Sequence, residues 1–287
     1  MSKNLTTIVS SKTKTVEINR DMPTVIIGER INPTGRKKVS AALAEGNFDI
    51  VRQDAIAQVA AGADMLDVNA GVPGADEPSL LTKVLQAVME VTDVPLSIDS
   101  NDTNALAAGL TVYEGKALVN SVNGEERSLK AVLPPVKEHG AAVIGLCMDD
   151  DGIPETSEGR LAVAAKIIEQ AGKLGIPPED IIIDPLTLTM GADTKAGLIT
   201  LKTIELVIEE FGVNITMGAS NISFGLPDRK YINAASIAMA IHAGVTCPIT
   251  NPLVTEVRSA ILAADLTMGK DDNAMRWIKA YRQRQAE

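Results

Sequence analysis

Eight short β-prone runs, each separated from the next by a stretch of helical periodicity, constrain this chain more than any other feature. The runs are "TVIIGE" (24–29), "MLDVNA" (65–70), "PLSIDS" (95–100), "ALVNSV" (117–122), "AAVIGLCM" (141–148), "IIIDPL" (181–186), "NITMGAS" (214–220) and "CPITNP" (247–252). Between them lie segments such as "VRQDAIAQVAAGAD" and "LAVAAKIIEQAGKLG", whose apolar residues recur at helical spacing. Several of these segments run into glycine: Gly62, Gly140, Gly175, Gly212 and Gly244. Glycine just past the last turn is the expected helix stop. In "GIPPEDIIID" proline ends one element before the next apolar run begins.

Strict alternation of strand and helix predicts a parallel sheet covered by helices. A doubly wound open sheet and an eightfold barrel both satisfy that pattern. The count of eight units and the absence of G-x-G-x-x-G after any strand favour the barrel. The expected fold is therefore α/β, a (β/α)8 TIM barrel spanning residues 24–287 and ending in a helix with a basic face, "DDNAMRWIKAYRQRQAE". Residues 1–23 are expected to form an extension that covers the bottom of the barrel. A length of 287 residues suits one such barrel. Aromatic residues make up only 2% of the chain, so its core must be built from Ala, Val, Ile, Leu and Met.

The formal net charge of -10 argues against nucleic acid as a partner, which needs a basic stripe. No apolar run reaches about 18 residues, so no membrane-spanning helix is expected. The N-terminal stretch lacks the apolar centre of a signal peptide. Cys147 and Cys247 are accordingly expected to be reduced, in a cytoplasmic protein.

In a barrel the active site lies at the C-terminal ends of the strands. The residues closing the eight runs are Glu29, Asn69, Asp99, Asn120, Asp149, Asp184, Asn221 and Asn251. None is histidine, which argues against a histidine general base. His139 and His242 fall near helix C-termini, where their charge is favourable. No strand carries a lysine for a Schiff base, and no cysteine–histidine set has zinc-site spacing. Cys147 is expected to be a core residue. Three readings stay open for the acidic and amide ring: a divalent metal, a ligand rich in N–H donors, or caps for the helices that follow. A carboxylate accepts two parallel donors at once, and an amide pairs with a mixed edge. Two Asp and two Asn therefore suit an aminopyrimidinone such as a pterin. Asn101 and Asp102 are expected to serve as turn and helix cap.

Seven motifs occur in order: "IIGERINPTGRKK", "LDVNAG", "LSIDSND", "LVNSVNGEE", "AAVIGLCMDDDGIP", "IIIDPLTL" and "GASNISFGLPDRKYIN". Over residues 24–265 the chain resembles the methyltetrahydrofolate:corrinoid methyltransferases and the folate domain of cobalamin-dependent methionine synthase. Dihydropteroate synthases, which share the pterin-binding barrel, are broader relatives. The resemblance implies methyl transfer between N5 of tetrahydrofolate or 5-methyltetrahydrofolate and the cobalt of a corrinoid (cobalamin). It implies no metal site of the chain's own. With no "D-x-H-x-x-G" signature present, the corrinoid is expected on a separate protein docking at the barrel mouth. Relatives are usually homodimers. O-demethylase, methylamine and acetyl-CoA pathways all remain open as settings.

Residue by residue, the resemblance implies that Asp99, Asn120 and Asp184 bind the pterin, with Asp184 taking the amino group and adjacent ring N–H. Asn221 is the implied mobile asparagine that reaches N5. Asn221, Asp99 and Asp184 would share the proton demand of catalysis. Asn32 and Asn69 would line the mouth, and Gly218, Ser220 and Arg229 complete the implied folate-binding set. Phe224 departs from the free-standing enzymes, which carry a polar residue there, and looks more like the methionine synthase module. Two alternatives are a dihydropteroate synthase-like enzyme and a non-catalytic folate-binding protein. The first needs an Arg–Lys pair after strand seven, where this chain has "GASNIS".

Overall fold

The structure, a computed structural model, describes residues 4–286. It opens with an antiparallel hairpin, β1 (Thr7–Ser10) and β2 (Thr15–Ile18). Eight further strands alternate with helices. In chain order they are β3 (Ile27–Ile31), α1 (Lys37–Ala44), α2 (Asp49–Ala60), β4 (Met65–Asn69), α3 (Glu77–Met89), β5 (Leu96–Asp99) and α4 (Thr103–Val112). There follow β6 (Leu118–Asn123), α5 (Glu126–His139), β7 (Ala142–Leu146), α6 (Ser157–Lys173), β8 (Ile181–Asp184) and α7 (Ala196–Phe211). The last elements are β9 (Asn214–Ile215), α8 (Arg229–Ala243), β10 (Ile249–Thr250), α9 (Thr255–Thr267) and α10 (Met275–Ala286).

The large sheet runs β10-β3-β4-β5-β6-β7-β8-β9, with every pairing parallel. Its two ends meet. Gly218 bridges Ile249, the Ile249 N–H donates to the Met217 carbonyl at 2.9 Å, and Ala219 donates back to Ile249 at 3.0 Å. The sheet is thus a closed barrel with no free edge. The runs expected at 214–220 and 247–252 shorten to two regular residues each. Backbone hydrogen bonds carry the seam past those residues, so closure survives where regular strand geometry does not.

Alternation along each strand sorts the residues into two cores. Leu66, Val68, Leu96, Ile98, Val119, Val143, Ile181 and Ile183 face outward and pack beneath the helices. Val25, Ile27, Met65, Leu118, Ile144, Ile182 and Cys247 face inward and fill the lower barrel. Val9, Val16 and Ile18 of the hairpin join that inner cluster, so the hairpin stoppers the bottom. Asn214 and Tyr113 tie it there. The Asn214 amide donates to the Ile18 carbonyl at 2.9 Å and to Thr7 Oγ1 at 3.0 Å. Tyr113 donates to the Ser10 carbonyl at 2.9 Å and accepts from the Leu96 N–H.

The helices begin and end where local chemistry dictates. Asp102 caps α4 by accepting from the Asn104 N–H at 2.8 Å, and Thr156 caps α6 through the Gly159 N–H. Gly140 and Gly212 end α5 and α7 at φ values of 62° and 69°, a left-handed turn that side chains resist. The buried Asp265 of α9 joins the two ends of the barrel. It accepts from the Thr24 N–H and hydroxyl and from Arg276 of α10. Among the described residues, no helix is long and apolar enough to cross a membrane.

Ile18 is fully buried between hairpin and barrel. Ile18→Ala should destabilise the protein by about 2–5 kcal/mol, as large-to-small core changes do. Chemical denaturation measures this, and a wild-type midpoint would show that the hairpin is not part of the core.

Candidate functional site

The same alternation that fills the lower barrel with aliphatic groups turns polar ones inward above them. Met65 faces in, so Asp67 and Asn69 do too. Leu96 and Ile98 face out, which leaves Ser97 and Asp99 facing in. Leu118 and Ile182 place Asn120 and Asp184 on the inner wall in the same way. Register then sets neighbours side by side: Asp67 opposite Ser97, Asn69 opposite Asp99, and Asp99 opposite Asn120.

Each inward carboxylate is answered by an amide or a backbone N–H. Asn69 Nδ2 donates to Asp99 Oδ2 at 3.0 Å, and Asn120 Nδ2 donates to Asp67 Oδ1 at 3.0 Å. The Asn69 side-chain oxygen in turn holds the Gly71 N–H at 2.8 Å. The Leu186 N–H donates to Asp184 Oδ1 at 2.7 Å. These bonds offset only part of the penalty of burying charge. Burial, then the charges of Asp67 and Glu77, push the Asp99 carboxyl well above its ordinary range, against the Asn69 hydrogen bond. Burial raises Asp67 against its bond from Asn120. Asp184 is pushed up to about 6, again mainly by burial, with the Leu186 and Gly218 N–H groups and the Arg160 charge opposing.

Asn221 stands apart from the strand ends. It begins a short 3-10 turn, Asn221–Ser223, and is exposed. Its amide folds back over Gly218, where an added Cβ would lie 2.7 Å from Asn221 Nδ2. A side chain at 218 would displace the Asn221 amide from that position. The Asn221 amide makes no side-chain hydrogen bond among the described residues. The turn beneath it is firmly held. Arg229 donates to the Ser220 carbonyl at 2.7 Å and to Ser223 Oγ at 3.0 Å. Thr189 Oγ1 donates to the Phe224 carbonyl at 2.7 Å, and the Met190 N–H to the Ile222 carbonyl at 2.9 Å. Ser220 Oγ reaches Glu29 Oε2 at 3.3 Å. Phe224 is held outward, 67% exposed, with the Arg229 guanidinium 5.8 Å from its ring centre.

The barrel thus brings together Asp99, Asn120, Asp184 and Asn69, with Gly218, Ser220, Asn221 and Arg229 in the loop after β9. Three further polar residues close local turns, as Asn69 and Asp184 also do. Asn32 accepts from the Thr34 N–H, Asp149 from the Asp151 N–H and Asn251 from the Leu253 N–H. Each is a side chain mimicking a backbone turn two residues on. Glu29 is mid-strand, because β3 runs on through a bulge to Ile31. Cys147 is a buried core thiol, and burial raises its pKa, which makes it a poor nucleophile.

Two residues escaped the reading of strand ends. Asp67 lies two positions before Asn69 on the same face, so the period of two in "MLDVN" already places it inside. Arg160 is 1% exposed and donates to the carbonyls of Pro154, Pro185 and Leu186. It fixes the turn after Asp184, where Leu186 has a φ of 58°. Its signal was helical spacing, since it shares a face with Val163, Ala164 and Ile167.

A carboxyl whose pKa is raised by folding binds its proton more tightly in the folded chain, so its ionisation opposes folding. For Asp184 this stability is present at low pH and is lost as pH rises from 3.8 through about 6. The displacement from 3.8 to about 6 corresponds to about 3 kcal/mol. Asp184→Asn should therefore gain stability relative to wild type at about pH 7.5 and lose that gain near pH 4. Denaturant titrations at the two pH values test this, and a difference independent of pH would contradict it.

Residues 28–251 match the family model described as pterin binding enzyme, well over half of the chain. The chain is 32% identical over 262 residues to the methylcorrinoid:tetrahydrofolate methyltransferase of Eubacterium limosum, covering 90% of this chain and 96% of that protein. It is 30% identical over 256 residues to the methionine synthase of Mycobacterium tuberculosis, covering 85% of this chain but only 22% of that longer protein. Among solved structures, dihydropteroate synthase of Thermus thermophilus in complex with 4-aminobenzoate is similar with a TM-score of 0.69 at 20% identity, over 90% of this chain and 99% of that one. The Yersinia pestis enzyme, with a pterine-sulfa conjugate, also has a TM-score of 0.69, at 18% identity over 91% and 98% of the two chains. At such identities the two structures testify to the barrel alone. The family model and the relative aligned over nearly its full length go further: this chain belongs to the pterin binding enzyme family.

Proposed function

We propose that this protein is a methyltransferase that moves a methyl group between N5 of tetrahydrofolate and the cobalt of a corrinoid carried by another protein. The observation that carries this reading is the unpartnered Asn221 amide, poised over Gly218 in the loop after β9, with the half-buried Asp99 and Asn120 and the buried Asp184 on the inner wall. A chain that only bound a pterin ring would need the acceptors and not the free amide. The name of the E. limosum relative describes the same chemistry and supports the assignment.

In this reading the Asp184 carboxylate accepts the pterin amino group and the neighbouring ring N–H as a fork. The Leu186 N–H fixes its orientation before the ligand arrives. Asp67 holds Asn120 by one amide hydrogen, leaving the Asn120 side-chain oxygen and second N–H for the ring edge. Asn69 holds one oxygen of Asp99 and leaves the other for the ligand.

The chemical difficulty is N5. Released bare, it would be an amine anion, so it must gain a proton or a strong hydrogen bond by the transition state. Asn221 supplies the hydrogen bond. Asp99 is the ring member best placed to hold the proton, because burial and Asp67 favour its neutral form. The two roles are separate, one at N5 and one below the ring, with water linking them. When bound, the corrinoid supplies the metal centre that takes or gives the methyl group. The chain's own contribution is to hold the two cofactors in line and to exclude other acceptors.

Mixing the protein with 5-methyltetrahydrofolate and reduced cobalamin, and following the change in corrinoid absorbance, tests the reading. Asn221→Ala should lower kcat by about 10²–10³-fold, the usual effect of removing one preorganised donor. Its folate affinity should stay within a few-fold. Wild-type rates in that variant, or folate binding with no transfer in either direction, would overturn the proposal. Because Asp184 must be ionised to accept both N–H donors, kcat/KM for folate should fall as pH drops below about 6. Asp184→Asn should lose most folate affinity along with that pH step.

A further inference from the structure

Arg160 presents a problem of charge. It lies on α6, which packs on the outside of the barrel, and it is 1% exposed. A guanidinium stays protonated in proteins, so a full positive charge is buried here. Among the described residues it forms no ion pair, and its partners are three neutral carbonyls. Nε donates to Pro154 at 3.0 Å, and Nη1 donates to Pro185 at 3.0 Å and to Leu186 at 2.8 Å. Buried ions ordinarily need an opposite charge as well as hydrogen bonds. The carboxylate whose field reaches Arg160 is Asp184, on the other side of the same turn. One peptide group joins the two. The carbonyl of the Pro185–Leu186 peptide accepts from Arg160, and the N–H of that same peptide donates to Asp184 Oδ1 at 2.7 Å. A cation on the carbonyl polarises the group and makes its N–H a stronger donor. The turn is also one that side chains resist, with Leu186 at a φ of 58°. Arg160 grips the carbonyls before and after the Leu186 Cα, and the planar fork of arginine suits two successive carbonyls where a lysine point charge does not.

We propose that Arg160 is the positioning residue for Asp184: acting from outside the barrel through the Pro185–Leu186 peptide, it keeps that carboxylate an anion aimed inward. The inference rests on the folate reading above for the use made of Asp184, while the coupling of the two residues needs no ligand. The other titratable groups that bear on the pair are thiols. Cys147 follows β7, and Cys247 precedes β10. Burial raises both, Cys247 to about 12, so both are neutral at pH 7 and contribute no competing charge. From β9 the Gly218 N–H adds to the Leu186 donor. Against these aids stands burial, which still holds Asp184 near 6. The Arg160 charge is therefore what separates an acceptor ionised at neutral pH from one that is largely protonated, and a protonated carboxyl cannot accept two parallel N–H donors.

Two variants separate charge from hydrogen bonding. Arg160→Gln keeps N–H donors for the turn and removes the charge, and Arg160→Lys keeps the charge with fewer donors. NMR of ligand-free protein labelled at its aspartate carboxyls follows the titration, with the Asp184 signal identified by its loss in Asp184→Asn. The midpoint should rise by about one pH unit in Arg160→Gln and return to near the wild-type value in Arg160→Lys. Calorimetry with 5-methyltetrahydrofolate supplies the second readout. Arg160→Gln should bind about fivefold more weakly than wild type at pH 6 and nearly as well at pH 8, where Asp184 is ionised again. An unmoved midpoint, equal shifts in both variants, or a loss of affinity that is the same at every pH would overturn the proposal and leave Arg160 a purely structural residue. Should Arg160→Gln fail to fold at neutral pH, adding Asp184→Asn should restore folding, because the unanswered carboxylate is then gone. A double variant that stays unfolded would count against the proposal. Wild type that binds no folate while the Asp184 midpoint still moves would sink the folate reading and leave the coupling intact.

Discussion

The rest of the site depends on the way neighbouring strands answer one another's carboxylates. Asp67, Asp99 and Asp184 all turn into a space lined by protein, where an uncompensated charge is expensive. Asn69 on β4 reaches across to Asp99 on β5, and Asn120 on β6 reaches back to Asp67 on β4. The two bonds stitch three adjacent strands together over their last turns of side chain. They also leave one face of each group open toward the mouth. A ring answered completely from within would be stable and chemically idle. One left wholly unanswered would stay protonated or collapse. The partial answer keeps the acceptors in place and leaves them available, with the cost carried by the aliphatic layers below.

Much of this was legible in the strand runs, because a parallel barrel advertises itself through regular alternation. Each of the eight runs contributes a strand of the closed sheet, and Asp99 and Asp184 close β5 and β8 as expected, whereas Asn120 lies mid-strand because β6 runs on through an irregularity to Asn123. Legibility failed where side-chain direction, and not sequence position, decides the outcome. Asp67 is not the last residue of its run, yet parity turns it inward beneath Asn120. Asp149, Asn251 and Asn32 sit at run ends or mouth motifs where the chain has left strand geometry, and each accepts a local turn hydrogen bond. Arg160 lies on a helix far along the chain from the turn it fixes. Only the folded arrangement joins them.

The loop after β9 follows a different logic from the ring. It is exposed and carries a free amide, yet its backbone is bound from three directions by Arg229, Thr189 and Met190. That combination frees one side chain to move while fixing its point of attachment. Gly218 contributes by absence, since any side chain there would occupy the space the Asn221 amide now uses. Phe224, projecting from the same loop, gives this aromatic-poor chain one exposed ring beside the mouth.

The hairpin under the barrel has a consequence for traffic. With Val9, Val16 and Ile18 packed into the lower end, the barrel is a vessel with a single opening. Under the folate reading, both the small substrate and the protein that exchanges methyl groups with it must use that one opening. A partner seated over the mouth blocks entry and exit of the folate beneath. In that reading folate would enter first and leave last, and the kinetics would take the form of a compulsory order: a queue imposed by a stopper at the far end.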